Sequence, residues 1–247
     1  MARVGFIGLG VMGFHIAGYL SKSGHKLAVY NRTNSKVDNW LKKFLGENAS
    51  SPADVARNSD FVFCCVGNDD DLRDVTIGDE GAFQEMKSDT VFVDHTTASA
   101  TATQELAALA GHKGFHFIDA PVSGGQVGAE KGKLTVMCGG DEQAYSLVEP
   151  FMSSYSISCK LMGKSGSGQL TKMVNQICIA GVLQSLSEAL LFSDKAGLDS
   201  NQVLEVISKG AAGSWQMENR GQTMVDNQFE FGFAVDWMRK DLGICLD

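Results

Sequence analysis

Lys172 lies in Gly163-Lys164-Ser165-Gly166-Ser167-Gly168-Gln169-Leu170-Thr171-Lys172-Met173-Val174-Asn175-Gln176, a glycine-rich turn that runs into an apolar segment. If that segment is a helix, Asn175 and Gln176 follow the lysine by three and four residues and share its face. An ammonium on a helix that is apolar nearly all round is costly to bury, and the cost favours the neutral amine. Such a lysine can exchange a proton with a substrate oxygen while a neighbouring amide, Asn175 or Gln176, orients that oxygen. The competing reading is a lysine that snorkels to water from an exposed stripe. A second candidate is Asp119-Ala120-Pro121-Val122-Ser123-Gly124-Gly125. There the Ser123 hydroxyl and the N–H groups of Gly124 and Gly125 could cradle a carboxylate, or form a plain surface turn.

A third constellation is Gly8-Leu9-Gly10-Val11-Met12-Gly13. It follows the short apolar run Val4 to Ile7 and opens a helix-like pattern, which is the context a dinucleotide fingerprint requires. Gly8 permits the tight turn, Gly10 lets backbone approach a pyrophosphate, and Gly13 lets helix pack on strand. The pyrophosphate then sits on the helix N-terminus. After the second strand the chain reads Tyr30-Asn31-Arg32-Thr33, with no Asp or Glu to bond a ribose 2′-hydroxyl. Arg32 can grip a 2′-phosphate in bidentate fashion, and Asn31 and Thr33 can donate to it. The expectation is NADP, with NAD less favoured.

These groups need a scaffold. Arg3 to Gly8, Lys26 to Tyr30, Asp60 to Val66, Thr90 to Asp94, Phe115 to Ala120 and Leu134 to Cys138 read as strands. Most are continuous apolar runs, which suit a parallel sheet covered on both faces. Helix patterns run over Val11 to Ser21, Ala53 to Arg57 and Ala98 to Gly111. Strands alternating with helices predict a Rossmann-type, doubly wound α/β unit over residues 1–162. Residues 163–247 read as an all-α domain for substrate and dimerisation. It opens with one helix over 169–195, roughly 40 Å long, which is expected to be buried on several sides. Asp199 to Lys209 and Val235 onward are further helices. The last lacks a Gly, Asn or Pro stop, so the C-terminus is expected to be truncated.

The chain has 247 residues, 44% of them hydrophobic, and a net charge of −8. That balance supplies a core but no basic field for nucleic acid or an anionic membrane. Six cysteines without a CxxC read as buried thiols in a reducing compartment. The five histidines are scattered, so no metal is expected. His95 falls nearest the expected cofactor, with a structural role. No signal peptide and no apolar run of membrane-spanning length is read, which leaves the cytoplasm as the default.

Gly8 to Gly13, Asp119 to Gly125, the Gly166-Ser167-Gly168-Gln169 to Asn175 stretch and Lys240-Asp241-Leu242 occur in the order seen in the β-hydroxyacid dehydrogenases, which this sequence resembles along its whole length. That family includes 3-hydroxyisobutyrate dehydrogenases, tartronate semialdehyde (2-hydroxy-3-oxopropionate) reductases and glyoxylate/succinic semialdehyde reductases. The resemblance implies that Lys172 is the catalytic lysine and that Ser123 and Gly124 hold the substrate carboxylate. It places Asn175 in the same motif, Lys240 beside cofactor and substrate, and Val66 and Thr96 at cofactor-contacting strand ends. Asn31-Arg32-Thr33 resembles the NADPH-using aldehyde-acid reductases and Gly210-Ala211-Ala212-Gly213-Ser214-Trp215 the tartronate semialdehyde reductase type, with Ser214 and Trp215 walling the substrate pocket; the alternative is a helix connection with a buried Trp. The implied activity is reversible, NADPH-dependent reduction of a small aldehyde or oxo acid. Alternatives are an NAD(P)-dependent 3-hydroxyisobutyrate dehydrogenase, an imine reductase, which Lys172 disfavours, and a non-catalytic NADP-binding sensor or scaffold. The implied partners are a small carboxylate substrate and a second copy, as a homodimer or larger homo-oligomer.

Overall fold

A computed structural model describes residues 1–246 of the chain. They form two compact units, Met1–Lys172 and a second that begins at Met173. The first is a sheet whose strands β1 (Arg3–Ile7), β2 (Lys26–Tyr30), β3 (Glu47–Asn48), β4 (Phe61–Cys64), β5 (Val91–Asp94) and β6 (His116–Asp119) lie in the order β3-β2-β1-β4-β5-β6, all parallel. The sheet continues through β8 (Leu134–Gly139) and β7 (Val122–Ser123), both antiparallel to their partners, while β9 (Ser156–Gly163) runs parallel to β8. It is therefore mixed at one end, where the sequence pattern predicted parallel strands throughout.

Alternate residues of the strands feed two core layers, as the period-2 geometry demands. Phe6, Phe63 and Val93 pack with Ile16 and Leu20 of α1 (Gly13–Lys22) and Val148 of α7 (Glu142–Met152). Ile7, Val62, Cys64 and Phe92 pack on the other face with Val55 of α3 (Pro52–Arg57), Leu72 of α4 (Asp69–Ile77) and Leu106 of α5 (Ala100–Lys113). Helix starts are set locally. Ser51, Asn68, Ser99 and Asp141 each accept an N–H of the first turn, and Pro52 occupies the position where a missing N–H costs nothing. α2 (Asn34–Leu41) and α6 (Gly125–Glu130) complete the unit.

The second unit holds most of α8 (Ser167–Lys195), then α9 (Ser200–Ile207), α10 (Trp215–Val225) and α11 (Val235–Leu246). Leu186, Leu204 and Met217 make its small core. α8 departs from the expected burial. Leu170, Val174, Ile177, Leu191 and Phe192 are exposed, while the buried positions include the polar Gln169, Lys172, Gln176 and Ser193. By length and composition α8 could cross a membrane, with a mean hydropathy of 1.3 over its best window. This corrects the reading that no such run exists. The cysteines also differ from expectation. Cys64 and Cys138 are buried, Cys65, Cys159 and Cys245 are half-buried, and Cys178 is exposed.

Candidate active site

The glycine loop joins β1 to α1. Gly8 takes a φ of +95°, and a Cβ there would stand 2.2 Å from the Cys65 carbonyl oxygen. A Cβ on Gly13 would stand 2.0 Å from the Gly8 carbonyl oxygen. Gly10 meets nothing within 4 Å and opens on a groove of about 280 Å³, lined also by Leu9, Val11, Phe14, Lys36, Asn39 and Gln126. No side chain caps α1, whose N-cap is Met12. A backbone that approaches closely, an uncapped helix start and an open groove fit a nucleotide's pyrophosphate. Gly13→Ala should cost about 1–3 kcal/mol of stability through overpacking and weaken dinucleotide binding at least tenfold. Thermal melts and a dinucleotide-binding titration check this, and unchanged values would contradict the packing argument.

Asn31 orders this loop from beneath. Its side-chain oxygen accepts from Leu9 N at 2.9 Å and its amide donates to Thr33 O at 3.1 Å. Thr33 is the N-cap of α2 without a side-chain cap bond. Arg32 projects into solvent, its side chain 81% exposed, with Nη1 3.3 Å from Asp71 Oδ1. Sequence reasoning found no carboxylate at this place, yet the fold brings Asp71 to it from the start of α4. Lys36 is the third residue of α2. It lines the groove beside Gly10.

The ends of β4 and β5 come next in the sheet after the loop's strand β1. Val66 N donates to Thr96 Oγ1 at 3.0 Å, and Thr96 N donates to Asp94 Oδ1 at 2.9 Å. Asp94 is fully buried, and its Oδ2 finds no hydrogen-bond partner among the described residues. Burial raises its pKa from 3.8 to about 7. A carboxyl raised in the folded state costs no stability while both states are protonated, and its penalty grows as pH rises from about 4 to about 7. Asp94→Asn should therefore gain relative stability between pH 5 and pH 8 by on the order of 2 kcal/mol. A difference in melting that stays flat with pH would refute this. His95, next in sequence, is a structural bridge. Its ring nitrogens lie 2.6 Å from Ala120 O and 2.9 Å from the Tyr155 hydroxyl, and burial lowers its pKa to about 4.

The start of α8 is stapled to the carboxyl ends of β5 and β6. Buried Asp119 accepts Gly166 N at 2.8 Å and Gln169 N at 3.0 Å. The buried Gln169 amide donates to Thr96 O at 2.7 Å and accepts from Ala98 N at 3.1 Å. A Cβ on Gly168 would lie 2.3 Å from Met137 O and 2.7 Å from Asp119 Oδ2. Lys172 comes three residues after Gln169, so it occupies the same helix face one turn on, and it is buried at 7% exposure. Asp119 and Gln169 hold the lysine-bearing helix in place, and sequence reasoning named neither in that role. Ser123 ends β7, half-buried, and Gly124 (φ +129°) and Gly125 (φ +62°) follow in backbone that disfavours side chains.

In the second unit, Asn175 Nδ2 donates to Gln176 Oε1 at 2.8 Å, and Gln176 Nε2 donates to buried Asp241 Oδ2 at 2.6 Å. Lys240 Nζ lies 3.0 Å from Asp241 Oδ1, close enough for an ion pair although not aligned as a hydrogen bond. Gln176 is thus tied to a buried carboxylate, and Asn175 is positioned through it. Ser214 caps α10, its oxygen accepting from Met217 N at 3.1 Å, and Trp215 is half-exposed under the Arg220 guanidinium.

Residues 3–163 match the family model for the NAD binding domain of 6-phosphogluconate dehydrogenase. Residues 166–247 match the model for the NAD-binding region of NADP-dependent 3-hydroxyisobutyrate dehydrogenase. An uncharacterised oxidoreductase of Shewanella frigidimarina is 58% identical over 100% of this chain and 85% of its own. The 2-hydroxy-3-oxopropionate reductase of Escherichia coli is 34% identical over 99% of this chain and 83% of its own. The chain belongs to the β-hydroxyacid dehydrogenase family. Among solved members, a 3-hydroxyisobutyrate dehydrogenase from Salmonella typhimurium superposes with a TM-score of 0.89, at 30% identity, over 100% of this chain and 86% of its own. As a β-hydroxyacid dehydrogenase the chain is an NAD(P)-dependent oxidoreductase acting on the CH–OH groups of hydroxy acids. The family's fold, a Rossmann-like sheet followed by an all-helical region, is the one described above.

Proposed function

We propose that this dehydrogenase uses NADPH to reduce a small aldehyde or oxo acid of the tartronate semialdehyde, glyoxylate or succinic semialdehyde type, reversibly, with Lys172 as general acid and base. The observation that carries the reading is the station of Lys172, buried one turn beyond the Gln169 contacts to Thr96 O and Ala98 N. The bound nicotinamide supplies the hydride in reduction and takes it in oxidation. Ser123 Oγ and the Gly124 N–H hold the substrate carboxylate. Lys172 Nζ gives a proton to the carbonyl oxygen as the carbon becomes C–H, and recovers that proton from water. In the other direction the neutral amine takes the hydroxyl proton. Asn175 and Gln176, ordered through Asp241, orient the reacting oxygen, and Lys240 adds positive charge toward the anionic substrate. Arg32 and Lys36 are the cations that favour the 2′-phosphate.

A second reading, NAD(P)-dependent oxidation of a 3-hydroxyisobutyrate-type alcohol, is favoured by the name of the matching C-terminal family model. The deciding measurement is loss of NADPH and of NADH absorbance with glyoxylate, succinic semialdehyde and tartronate semialdehyde, beside oxidation of 3-hydroxyisobutyrate. Preferred consumption of NADPH with one of the aldehyde acids is expected. Turnover only of 3-hydroxyisobutyrate would select the second reading. Tight nucleotide binding without turnover of any of them would leave a non-catalytic binder.

A further inference from the structure

Away from the nucleotide loop and the lysine, three elements of the first unit bring three sulfurs together. Cys138 is in β8, Met152 ends α7, and Cys159 is in β9. Cys138 Sγ and Cys159 Sγ are 3.7 Å apart, and each lies 3.9 Å from Met152 Sδ. The triangle is nearly equilateral.

The two thiols are poorly placed for a disulfide. Cys159 pairs with Val136, and Cys138 with Leu161, so the cysteines stand two residues apart along neighbouring strands. Strand spacings put their Cα atoms about 8 Å apart, beyond the roughly 7 Å a disulfide spans without backbone movement. A bridging ion has no such difficulty. An atom at the centre of the triangle would lie about 2.2 Å from each sulfur, close to the ~2.3 Å of a zinc–thiolate bond. Three sulfurs without a fourth ligand do not make zinc's tetrahedron, and no group of three His, Cys, Asp or Glu side chains suited to a metal occurs among the described residues. Two thiolates and a thioether are the soft ligand set that selects copper(I).

We infer that Cys138, Met152 and Cys159 form a three-coordinate site for a monovalent soft metal ion, copper(I). Binding would release one proton to water from each thiol that ionises, forming two Cu–S(thiolate) bonds and one Cu–S(thioether) bond with no change of oxidation state. Cys138 and Met152 are fully buried and Cys159 half-buried, so the ion enters past Cys159. The Tyr145 hydroxyl donates to Cys159 O at 3.1 Å and stands 3.9 Å from its sulfur, a donor placed to steady a thiolate.

The test is anaerobic titration of the whole chain with copper(I) against the chelator bathocuproine disulfonate. A Cys178→Ser, Cys245→Ser background removes two competing thiols outside the cluster. One ion per chain should be withheld from the chelator. Adding Cys138→Ser and Cys159→Ser should weaken retention at least a hundredfold, and Met152→Leu about tenfold. X-ray absorption should show three sulfurs at about 2.2–2.3 Å. Equal retention with the cluster cysteines removed, no retention by the background protein, or a first shell containing nitrogen or oxygen would each overturn the assignment. Turnover with the nucleotide reports whether each variant is folded. If the double serine variant loses it, Met152→Leu, which nearly conserves volume, decides, and unchanged retention there defeats the three-sulfur site.

Discussion

Lys172→Ala should lower kcat by two to four orders of magnitude, the range that positioned proton transfer supplies, while the nucleotide still binds. The residue is buried, and Asp119 and Gln169 hold the helix that carries it to the strand ends. Truncation takes away the only proton carrier assigned to the carbonyl oxygen and leaves the anchoring side chains in place. Lys172→Arg is the sharper control. Guanidinium keeps the charge but does not give up its proton at neutral pH, so it should fail in the oxidation direction almost as badly. NADPH affinity, read by fluorescence, should change less than threefold in both. Near-normal turnover in Lys172→Ala would remove the lysine from the mechanism, and lost nucleotide binding would mean the substitution had damaged the fold.

Arg32→Asp should shift the NADPH/NADH ratio of kcat/KM by a hundredfold or more toward NADH. The substitution would remove the proposed bidentate guanidinium–phosphate contact and put a like charge in its place. The existing Asp71 contact sharpens the test. Arg32 shares its guanidinium with a carboxylate 3.3 Å away, at an exposed position where such a pair contributes little to stability. Asp71→Asn should therefore leave melting nearly unchanged and move the ratio slightly further toward NADPH. Opposite signs for the two substitutions would identify this corner as the 2′-phosphate reader. A ratio unmoved by Arg32→Asp would take that role from it.

The parallel core of the sheet was legible because its strands are continuous apolar runs, and the glycine loop because Gly8, Gly10 and Gly13 keep the fingerprint spacing directly after a strand pattern and before a helix pattern. What escaped notice lacked local contrast. α4 opens with Asp69, Asp70 and Asp71 and buries only Leu72, Val75 and Thr76, so its periodicity is faint. β9 is largely exposed and carries no apolar run. The antiparallel turn of β7 and β8 depends on long-range pairing that no local window contains. At the site, Lys172 stood out as a charge among apolar neighbours. Asp119 and Gln169 did not, because a carboxylate before Ala120-Pro121 and an amide at a helix start look ordinary until folding sets them 3.0 Å apart at Gln169 N. Asp71 reaches Arg32 across 39 residues of chain, a separation that gives no sequence signal.

The clearance at Gly168 has an evolutionary reading. Between Met137 O and Asp119 Oδ2 there is room at that position for hydrogen and nothing larger. The bearing of the helix that carries Lys172, the proposed proton donor, is thereby set by a mechanical stop, as a jig fixes a tool, before any acid arrives. A descendant enzyme that came to prefer a longer or bulkier acid could retool the far walls freely, but not this seat.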